Sequence, residues 1–412
     1  MLDPGHRPRW RWVVLGLGIA AQAATCLFLY GLPMLVPALR AEQHLSLVGA
    51  SMVVAAPTAG LLLTLIAWGA AADRFGERVV ISTGLALAAI FLALTTVTHG
   101  PVMLCVLLAL AGAAGASVNA ASGRVVMGWF AVDERGLAMG ARQTAQPLGV
   151  AIAALTLPPL AHGHGLHAAL LFAATCSGVM AVAVGVLVTD PPRPSRAEST
   201  AARSPYRGPV LWRIHAASAL LVVPQFAVSA FTLVYLVSQR HWDPTAAGRL
   251  VFAFQIAGAA GRIAAGVWSD AVRSRLTPMR QLAITSSALM VVLSLGAWVQ
   301  AWWVIVGFAL GAVVTVADNG LGFTATAEIA GASWAGRALG IQNTGQNVAA
   351  LLTPPLLASV VGDSRYAIGF AIVAIFPLLA VPVTPARAEA WPNAVAASPR
   401  APARPPRSAP RP

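Results

Sequence analysis

Four charged residues lie inside long apolar runs of the sequence, where a charge needs a partner or a function. They are Arg124, Arg142, Arg262 and Asp318. A charge at the centre of a bilayer costs about 2.5–3.5 kcal/mol on insertion scales. A planar guanidinium can hold a carboxylate through two parallel hydrogen bonds. Burial disfavours the charged form of a carboxyl group, which favours proton exchange. These residue types therefore predict anion binding and proton exchange within a membrane.

Arg262 is the strongest candidate for an anion contact. It precedes Asp270 by eight residues, which is about 12 Å along a helix. Gly261 and Gly266 leave room for its side chain to turn into a cavity. The alternative is an arginine near a helix end that pairs with Glu328 or extends towards the membrane surface.

Polar side chains repeat at helical spacing in two other apolar runs. Residues four apart share one face of a helix, and an amide that faces lipid costs several kcal/mol. These faces are therefore predicted to line a cavity, with hydrogen bonding between helices alone as the alternative. The predicted lining residues on these two runs are Arg142, Gln146, Gln342 and Gln346. Asn119 and Asn319, at equivalent positions of the preceding run in each half, are further predicted substrate contacts. Arg142 can also belong to a gate, and Arg124 can extend to the membrane surface.

Asp318 is the one carboxylate predicted near mid-depth, so it is the candidate for proton coupling. The alternative is an ion pair with a buried arginine, which would keep it charged. His162, His164 and His167 have spacing that suits a metal, but a short glycine-rich loop is the preferred interpretation. We find no nucleophile–base pair, metal-ligand cluster or phosphate loop in the sequence. The chain is therefore predicted to be no enzyme and to need no cofactor or metal.

The composition requires a membrane. Of 412 residues, 58% are hydrophobic and 10% are charged, whereas soluble domains carry roughly 25% charged residues. Runs long enough to cross a bilayer, roughly 20 residues each, number twelve. Spans 1 to 12 are predicted at 12–39, 46–72, 79–98, 101–128, 137–160, 166–189, 212–237, 247–269, 281–299, 301–328, 337–361 and 366–384.

Two loops and two halves repeat each other. Gly69-Ala-Ala-Ala-Asp73-Arg-Phe-Gly-Glu-Arg78 follows span 2, and a weaker copy follows Gly266, with Asp270, Arg273 and Arg275. The copies lie 197 residues apart. Asn119 and Asn319 are separated by 200 residues, as are Gln146 and Gln346. The chain is therefore predicted to consist of two equivalent six-helix halves.

This loop resembles the signature Gly-x-x-x-Asp-Arg-x-Gly-x-Arg of the major facilitator superfamily. The resemblance implies an all-α polytopic membrane protein with two six-helix bundles related by a pseudo-two-fold axis, and a substrate site between them. It implies that spans 1 and 7 line that site, which adds Gln22, Tyr30, Gln225 and Tyr235. It also implies gating roles for Gly69, Asp73, Arg74, Gly76, Arg78, Asp270, Arg273 and Glu328.

The chain as a whole is most similar in pattern to bacterial organic-anion and cyanate transporters. The segment around Arg262 resembles span 8 of monocarboxylate transporters and of the oxalate:formate antiporter. An arginine at the matching place there binds the substrate carboxylate. The match is incomplete. Those carriers have an acid three turns earlier and a lysine in span 1, where this chain has Val251 and no basic residue.

The arginines predict the orientation. The N-terminus, the loops after even-numbered spans and the C-terminal tail hold 20 of them, and the opposite loops hold four. Both termini are therefore predicted to be cytoplasmic, in a plasma (inner) membrane. The predicted divisions are a cytoplasmic N-terminus (1–11), two bundles (12–189 and 212–385), a cytoplasmic linker (190–211) and a disordered tail (386–412).

The predicted function is secondary active transport of a small, carboxylate-like organic anion by alternating access, with possible proton coupling. A proton-antiport efflux transporter for drugs or metabolites is the alternative. The predicted partners are the lipid bilayer and a small-molecule substrate. Nucleic acid is not a predicted partner despite the net charge of +13, because the arginines concentrate at one membrane face. A monomer is expected.

Overall fold

Every described segment of regular structure is helical. The computed structural model describes residues 9–98, 100–190, 204–362 and 364–389. The predicted tail beyond 389, most of the linker and residues 1–8 lie outside these ranges. The helices are Trp10–Gly31 and Val36–Glu42 (span 1), Leu47–Phe75 (span 2), Glu77–Leu94 (span 3), Pro101–Trp129 (span 4), Arg135–Arg142 and Ala145–His164 (span 5), Leu166–Leu187 (span 6), Val210–Ser238 (span 7), Pro244–Ala271 (span 8), Leu276–Trp298 (span 9), Val304–Ala330 (span 10), Ala335–Val361 (span 11) and Tyr366–Val383 (span 12).

Among the described residues, eleven segments are long and apolar enough to cross a membrane. Span 11 has the length but carries several amide side chains, including Gln342, Asn343 and Gln346. An amide-bearing face is tolerated at membrane depth only where it meets protein or water. The fold is an all-α polytopic membrane protein of twelve membrane helices in two six-helix bundles.

Two predicted spans are interrupted rather than continuous. Span 1 passes through a 3-10 turn at Leu32–Leu35, which begins beside Pro33. Span 5 breaks at Gln143 and Thr144. The carbonyl of Gln143 would normally accept from the residue four positions on, but that residue is Pro147, which has no N–H. The helix therefore restarts at Ala145.

Each bundle has its own apolar core. In the first half, Leu27, Phe28, Leu61 and Leu108 belong to the largest cluster of buried side chains. In the second half, Tyr235 packs against Phe308 and Tyr366 with ring centroids 5.4 and 5.2 Å away. Tyr235 was expected in the substrate cavity and instead lies in this core, because its ring is fully enclosed by aromatic neighbours.

The two halves touch through glycines. We call the side where span 1 begins and span 12 ends the terminal face. Near it, span 2 crosses span 11 at Gly69 and Gly336, and span 5 crosses span 8 at Gly136 and Gly266. A Cβ added at any of these glycines would press on a main-chain oxygen of the partner helix. Small residues of this kind allow helices to approach closely in membranes.

The repeated loops differ in length but both have a residue with positive φ at the same place in the motif. Gly76 is the single residue between spans 2 and 3 and has φ of 94°, a region that favours glycine. Its counterpart 197 residues later is Arg273, which lies in the longer connection between spans 8 and 9 and has φ of 52°. A positive φ is uncommon for a residue with a side chain.

Gly69→Ala should push spans 2 and 11 apart at the terminal face, since its Cβ would meet the Gly336 carbonyl oxygen. Spin labels at positions 74 and 273, in a variant whose three native cysteines are replaced by alanine, should report longer distances. Gly178→Ala is the matched control, because its Cβ would meet only the Ala89 side chain at 3.6 Å. Equal distance distributions in the two variants would contradict the close-approach argument.

Candidate functional site

A small polar cavity lies between the two halves at the centre of the molecule. Its volume is about 60 Å³, room for on the order of four to six waters. Spans 1, 4 and 5 contribute from the first half, and spans 7, 10 and 11 from the second. The lining residues are Gln22, Cys26, Tyr30, Asn119, Gln143, Gln146, Val222, Gln225, Phe226, Asn319, Phe323, Asn343, Gln346, Asn347 and Ala350.

The two halves build the cavity wall in the same way. Gln22 Nε2 donates to Asn119 Oδ1 at 2.9 Å, joining spans 1 and 4. Asn319 Nδ2 donates to Gln225 Oε1 at 2.9 Å, joining the equivalent spans 7 and 10. Cavity lining and hydrogen bonding between helices were the alternatives for Gln346, which does both: it lines the cavity, and its Nε2 donates to Asn319 Oδ1 at 3.4 Å.

Arg142 is buried at the junction of the halves with neutral partners. Its Nε donates to Ser122 Oγ at 2.8 Å, and one Nη donates to Gln143 Oε1 at 2.8 Å. Its guanidinium carbon lies 5.5 Å from the ring centroid of Phe323 in the other half. No acid lies within 4.0 Å of it among the described residues. Its positive charge is therefore solvated by oxygens that carry no net charge.

Arg262 crosses from the second half to the first. One Nη donates to the main-chain carbonyl of Gln143 at 2.6 Å. Its Nε is buried and has no hydrogen-bond partner, and the residue is only 6% exposed. The alternative pairing with Glu328 does not occur, because Glu328 lies at the terminal face with Arg135 and Arg275.

Asp318 and Arg262 are both buried, with 2% and 6% of their surfaces exposed. No ion pair within 4.0 Å joins the two in the described part of the chain. Asp318 Oδ2 and Arg262 Nε are each buried without a hydrogen-bond partner. Neither of the two roles predicted for Asp318 is decided by this geometry.

Gln342 is placed differently from the sequence prediction. Its Nε2 donates to Ser218 Oγ at 2.5 Å and its Oε1 meets His215 Nδ1. It therefore connects span 11 to span 7 outside the cavity lining. The helix face of span 11 that lines the cavity is that of Asn343, Gln346, Asn347 and Ala350, and Gln342 lies at its margin. Arg142, which was also predicted to line the cavity and is the equivalent residue of span 5, is likewise absent from the lining.

Asp73 holds the halves together at the terminal face. Its carboxylate accepts from the main-chain N–H groups of Gly336 and Arg337 at 2.8 and 3.0 Å, at the start of span 11. Arg124 lies 2.6 Å from Asp73 and 2.8 Å from Glu77. The unpaired N–H groups at a helix start favour a negative charge. Arg124 therefore belongs to this contact and not to the cavity.

The second repeat makes the same contact in reverse. Asp270 accepts from the N–H groups of Gly136 and Leu137 at 2.9 and 2.8 Å, at the start of span 5. Arg275, fully buried, lies 2.5 Å from Asp270 and 3.5 Å from Glu328. Glu328 also lies 3.6 Å from Arg135 of the first half.

Three predicted gating arginines contribute less directly. Arg273 is exposed in the turn, and Arg275 makes the ionic contacts with Asp270 and Glu328. Arg78 donates to the Gly185 carbonyl at 2.6 Å, which ties span 3 to span 6 within one half. Arg74 is exposed and lies over the ring of Phe75. The 197-residue offset pairs Arg78 with Arg275, and it was the signal that could have identified Arg275.

Other residues of the site had weaker signals. Glu77 is buried against Arg124. The sequence shows that Glu77 belongs to the repeated loop, but it does not indicate Arg124 as its partner. Phe226 and Phe323 line the cavity, but nothing separates them in sequence from the packing aromatics. The Gln143 carbonyl is a main-chain group, so no side-chain pattern could identify it. Its one signal in the sequence is Pro147, which has no N–H to donate to it.

Comparison with known proteins identifies the family. The sequence profile of the Major Facilitator Superfamily matches residues 18–354. The chain belongs to this superfamily. It is a multi-pass membrane transporter.

A relative and three solved structures agree with this assignment. The uncharacterized MFS-type transporter Rv2994 of Mycobacterium tuberculosis H37Rv is 42% identical over 389 residues, 93% of this chain and 87% of the relative. The human organic anion transporter MFSD10 has TM-score 0.66 at 16% identity, covering 92% of this chain and 99% of that one. The E. coli fucose:proton symporter FucP has TM-score 0.67 at 14% identity, covering 90% and 99%. The proton:xylose symporter XylE has TM-score 0.69 at 15% identity, covering 90% and 94%. At these identities the structural likeness concerns the fold.

Asp73→Asn should weaken closure of the terminal face of this transporter. The substitution removes the charge that the helix start and Arg124 both face, at a cost of about 1–3 kcal/mol. Cysteines introduced near the cavity should then become more reactive from the terminal face. Glu134→Gln is the control, since its pair with Arg11 is partly exposed and such pairs contribute little. Unchanged reactivity from both faces would contradict this role for Asp73.

Proposed function

We propose that this transporter moves a small organic anion of the carboxylate type across the membrane. The observation that carries the proposal is the charge of the central site. Arg142 and Arg262 both contact Gln143, which lines the cavity, so two buried guanidinium groups lie behind the cavity wall. Asp318, which precedes the lining residue Asn319, adds one buried carboxylate. Two positive charges against one leave an excess of one positive charge in a site enclosed by protein.

The pairing of the arginines supports the same conclusion. Arg124 and Arg275 at the terminal face have carboxylate partners within 2.8 Å. The central arginines instead meet amide, hydroxyl and carbonyl oxygens. A buried cation without an ionic partner is stabilised by a ligand that brings the missing negative charge.

The cavity favours a small solute over a drug-sized one. Ligand pockets for drug-sized molecules measure about 300–1,000 Å³, and this cavity measures about 60 Å³. Among the described residues its lining contains neither a carboxylate nor a guanidinium group, and two guanidinium groups, those of Arg142 and Arg262, contact the lining residue Gln143. These features support an organic anion ahead of the efflux alternative.

We propose that the terminal face is cytoplasmic, in agreement with the arginine distribution, and that the protein resides in the plasma membrane. The bundles at 12–189 and 212–385 would then rock about the central cavity in alternating access. Each cycle must break the contacts of Asp73 and Asp270 and re-form them. The structure corresponds, in this proposal, to a state closed towards the cytoplasm.

Arg262→Ala should abolish uptake of carboxylates into proteoliposomes while the protein still purifies as a monodisperse species. Loss of a buried charged contact costs about 2–5 kcal/mol of binding, more than tenfold in affinity. Arg262→Lys keeps the charge without the planar fork and should rescue only partly. Arg213→Ala is the control, since exposed Arg213 contacts only the carbonyls of Pro382 and Val383. Normal carboxylate uptake by the Arg262→Ala variant would refute the anion proposal.

We further propose that Asp318 couples a proton to transport. Asp318→Asn should abolish accumulation driven by a pH gradient while leaving exchange of substrate across the membrane intact. Both activities are measured in the same proteoliposomes, with and without the gradient. Equal loss of exchange would instead assign Asp318 to holding Arg262 or the substrate.

A further inference from the structure

Pro147 creates a main-chain acceptor in the centre of the membrane. A proline removes the hydrogen bond that its own position would donate to the carbonyl four residues earlier. In span 5 that carbonyl belongs to Gln143, at the break between Arg142 and Ala145. A main-chain carbonyl at membrane depth must find another donor, because an unsatisfied group there costs several kcal/mol.

The donor comes from the other half of the molecule. Arg262 on span 8 donates from one Nη to the Gln143 carbonyl at 2.6 Å. The spans are close here, since a Cβ on Gly140 would lie 2.5 Å from the Arg262 main-chain oxygen. The hydrogen bond therefore bridges the two bundles at the level of the cavity, beside the lining residue Gln143.

The equivalent helix lacks this device. Span 11 has Asn347 where span 5 has Pro147, at the 200-residue offset, and it runs unbroken from Ala335 to Val361. Asn347 Nδ2 donates to the Asn343 carbonyl at 2.9 Å within the same helix. The exposed carbonyl is thus a specific feature of the first half.

The hydrogen bond to the Gln143 carbonyl uses only part of the hydrogen-bonding capacity of Arg262. Arg262 Nε is buried without a hydrogen-bond partner, and the Gln143 carbonyl is a neutral acceptor with one oxygen. A carboxylate offers two oxygens and a full negative charge to the same guanidinium, and hydrogen bonds between charged groups are roughly twice as strong as neutral ones. An anion in the cavity is therefore a better partner for Arg262 than the carbonyl.

We propose that the Gln143 carbonyl, exposed by Pro147, competes with the substrate anion for Arg262. This inference rests on the proposed function and deepens it. In the empty protein the carbonyl occupies Arg262 and holds span 5 to span 8. An arriving carboxylate displaces it, which frees the two spans to separate. Arg262 therefore selects for anions. A solute without a negative charge only replaces one neutral acceptor of Arg262 by another, so its binding gains little free energy.

Pro147→Ala tests the competition directly. Alanine supplies an N–H for the Gln143 carbonyl, so the carbonyl holds Arg262 less firmly. The apparent Kd equals the intrinsic Kd divided by the binding-competent fraction of the protein, so removing a competing state lowers the apparent Kd. We expect the apparent Kd for acetate in an equilibrium titration to fall about three- to tenfold, within the range that a hydrogen bond to a charged group supports.

A second readout needs no ligand. Spin labels at the exposed positions 131 and 272, in the variant whose native cysteines are replaced by alanine, report the separation of spans 5 and 8 at the terminal face. Pro147→Ala should increase the population of long distances without acetate. Pro159→Ala is the control, since it removes a proline from the same helix at an exposed position. Adding Arg262→Ala should erase the difference between Pro147→Ala and the parent protein.

The outcomes separate the two proposals. Tighter acetate binding and longer distances, both dependent on Arg262, support the competition. If acetate binds the parent protein through Arg262 but Pro147→Ala behaves like Pro159→Ala in both readouts, the competition is refuted and the anion function stands. If acetate and other small carboxylates bind none of the variants, both proposals are refuted as stated.

Discussion

A guanidinium buried in a membrane protein needs acceptors for its hydrogen bonds. In this molecule the acceptors at the terminal face differ from those at the centre. At the terminal face Arg124 and Arg275 meet carboxylates, which neutralise them where the two halves touch. At the centre Arg142 and Arg262 meet oxygens without charge. The first arrangement stabilises a closed state, and the second leaves a positive charge available to a ligand.

The contacts at the terminal face together outweigh a single contact to a ligand. Asp73 and Asp270 each accept two main-chain hydrogen bonds from a helix start in the other half. Hydrogen bonds to charged groups contribute about 1.5–3 kcal/mol each, so the four together contribute about 6–12 kcal/mol. In the proposed function, one buried charged contact to the substrate contributes about 2–5 kcal/mol and therefore shifts the population of states only in part.

Much of the fold could be predicted from sequence because its signals are local. The apolar runs predicted the twelve spans, and the repeated loops predicted the two aspartates, Asp73 and Asp270. The misplaced residues depended on tertiary context. Gln342 has the same spacing as a cavity residue, but its helix turns it towards His215. Arg273 is an arginine in the repeated loop, but it is exposed in the turn with a positive φ. Arg275 makes the ionic contact with Asp270. Pro147 was visible, but the partner of the carbonyl it exposes lies on span 8, 119 residues from Gln143, and no local pattern records it.

The claim that the centre is built for an anion is tested most directly by ligand stabilisation of the unmodified transporter. Purified protein is heated with propionate, propionamide or propylammonium, which match in size and differ in charge. A ligand that binds only the folded state raises Tm with its concentration. The account predicts that propionate raises Tm in a concentration-dependent manner and that the amide and the cation do not. Stabilisation by propylammonium, or equal stabilisation by propionamide and propionate, would contradict it.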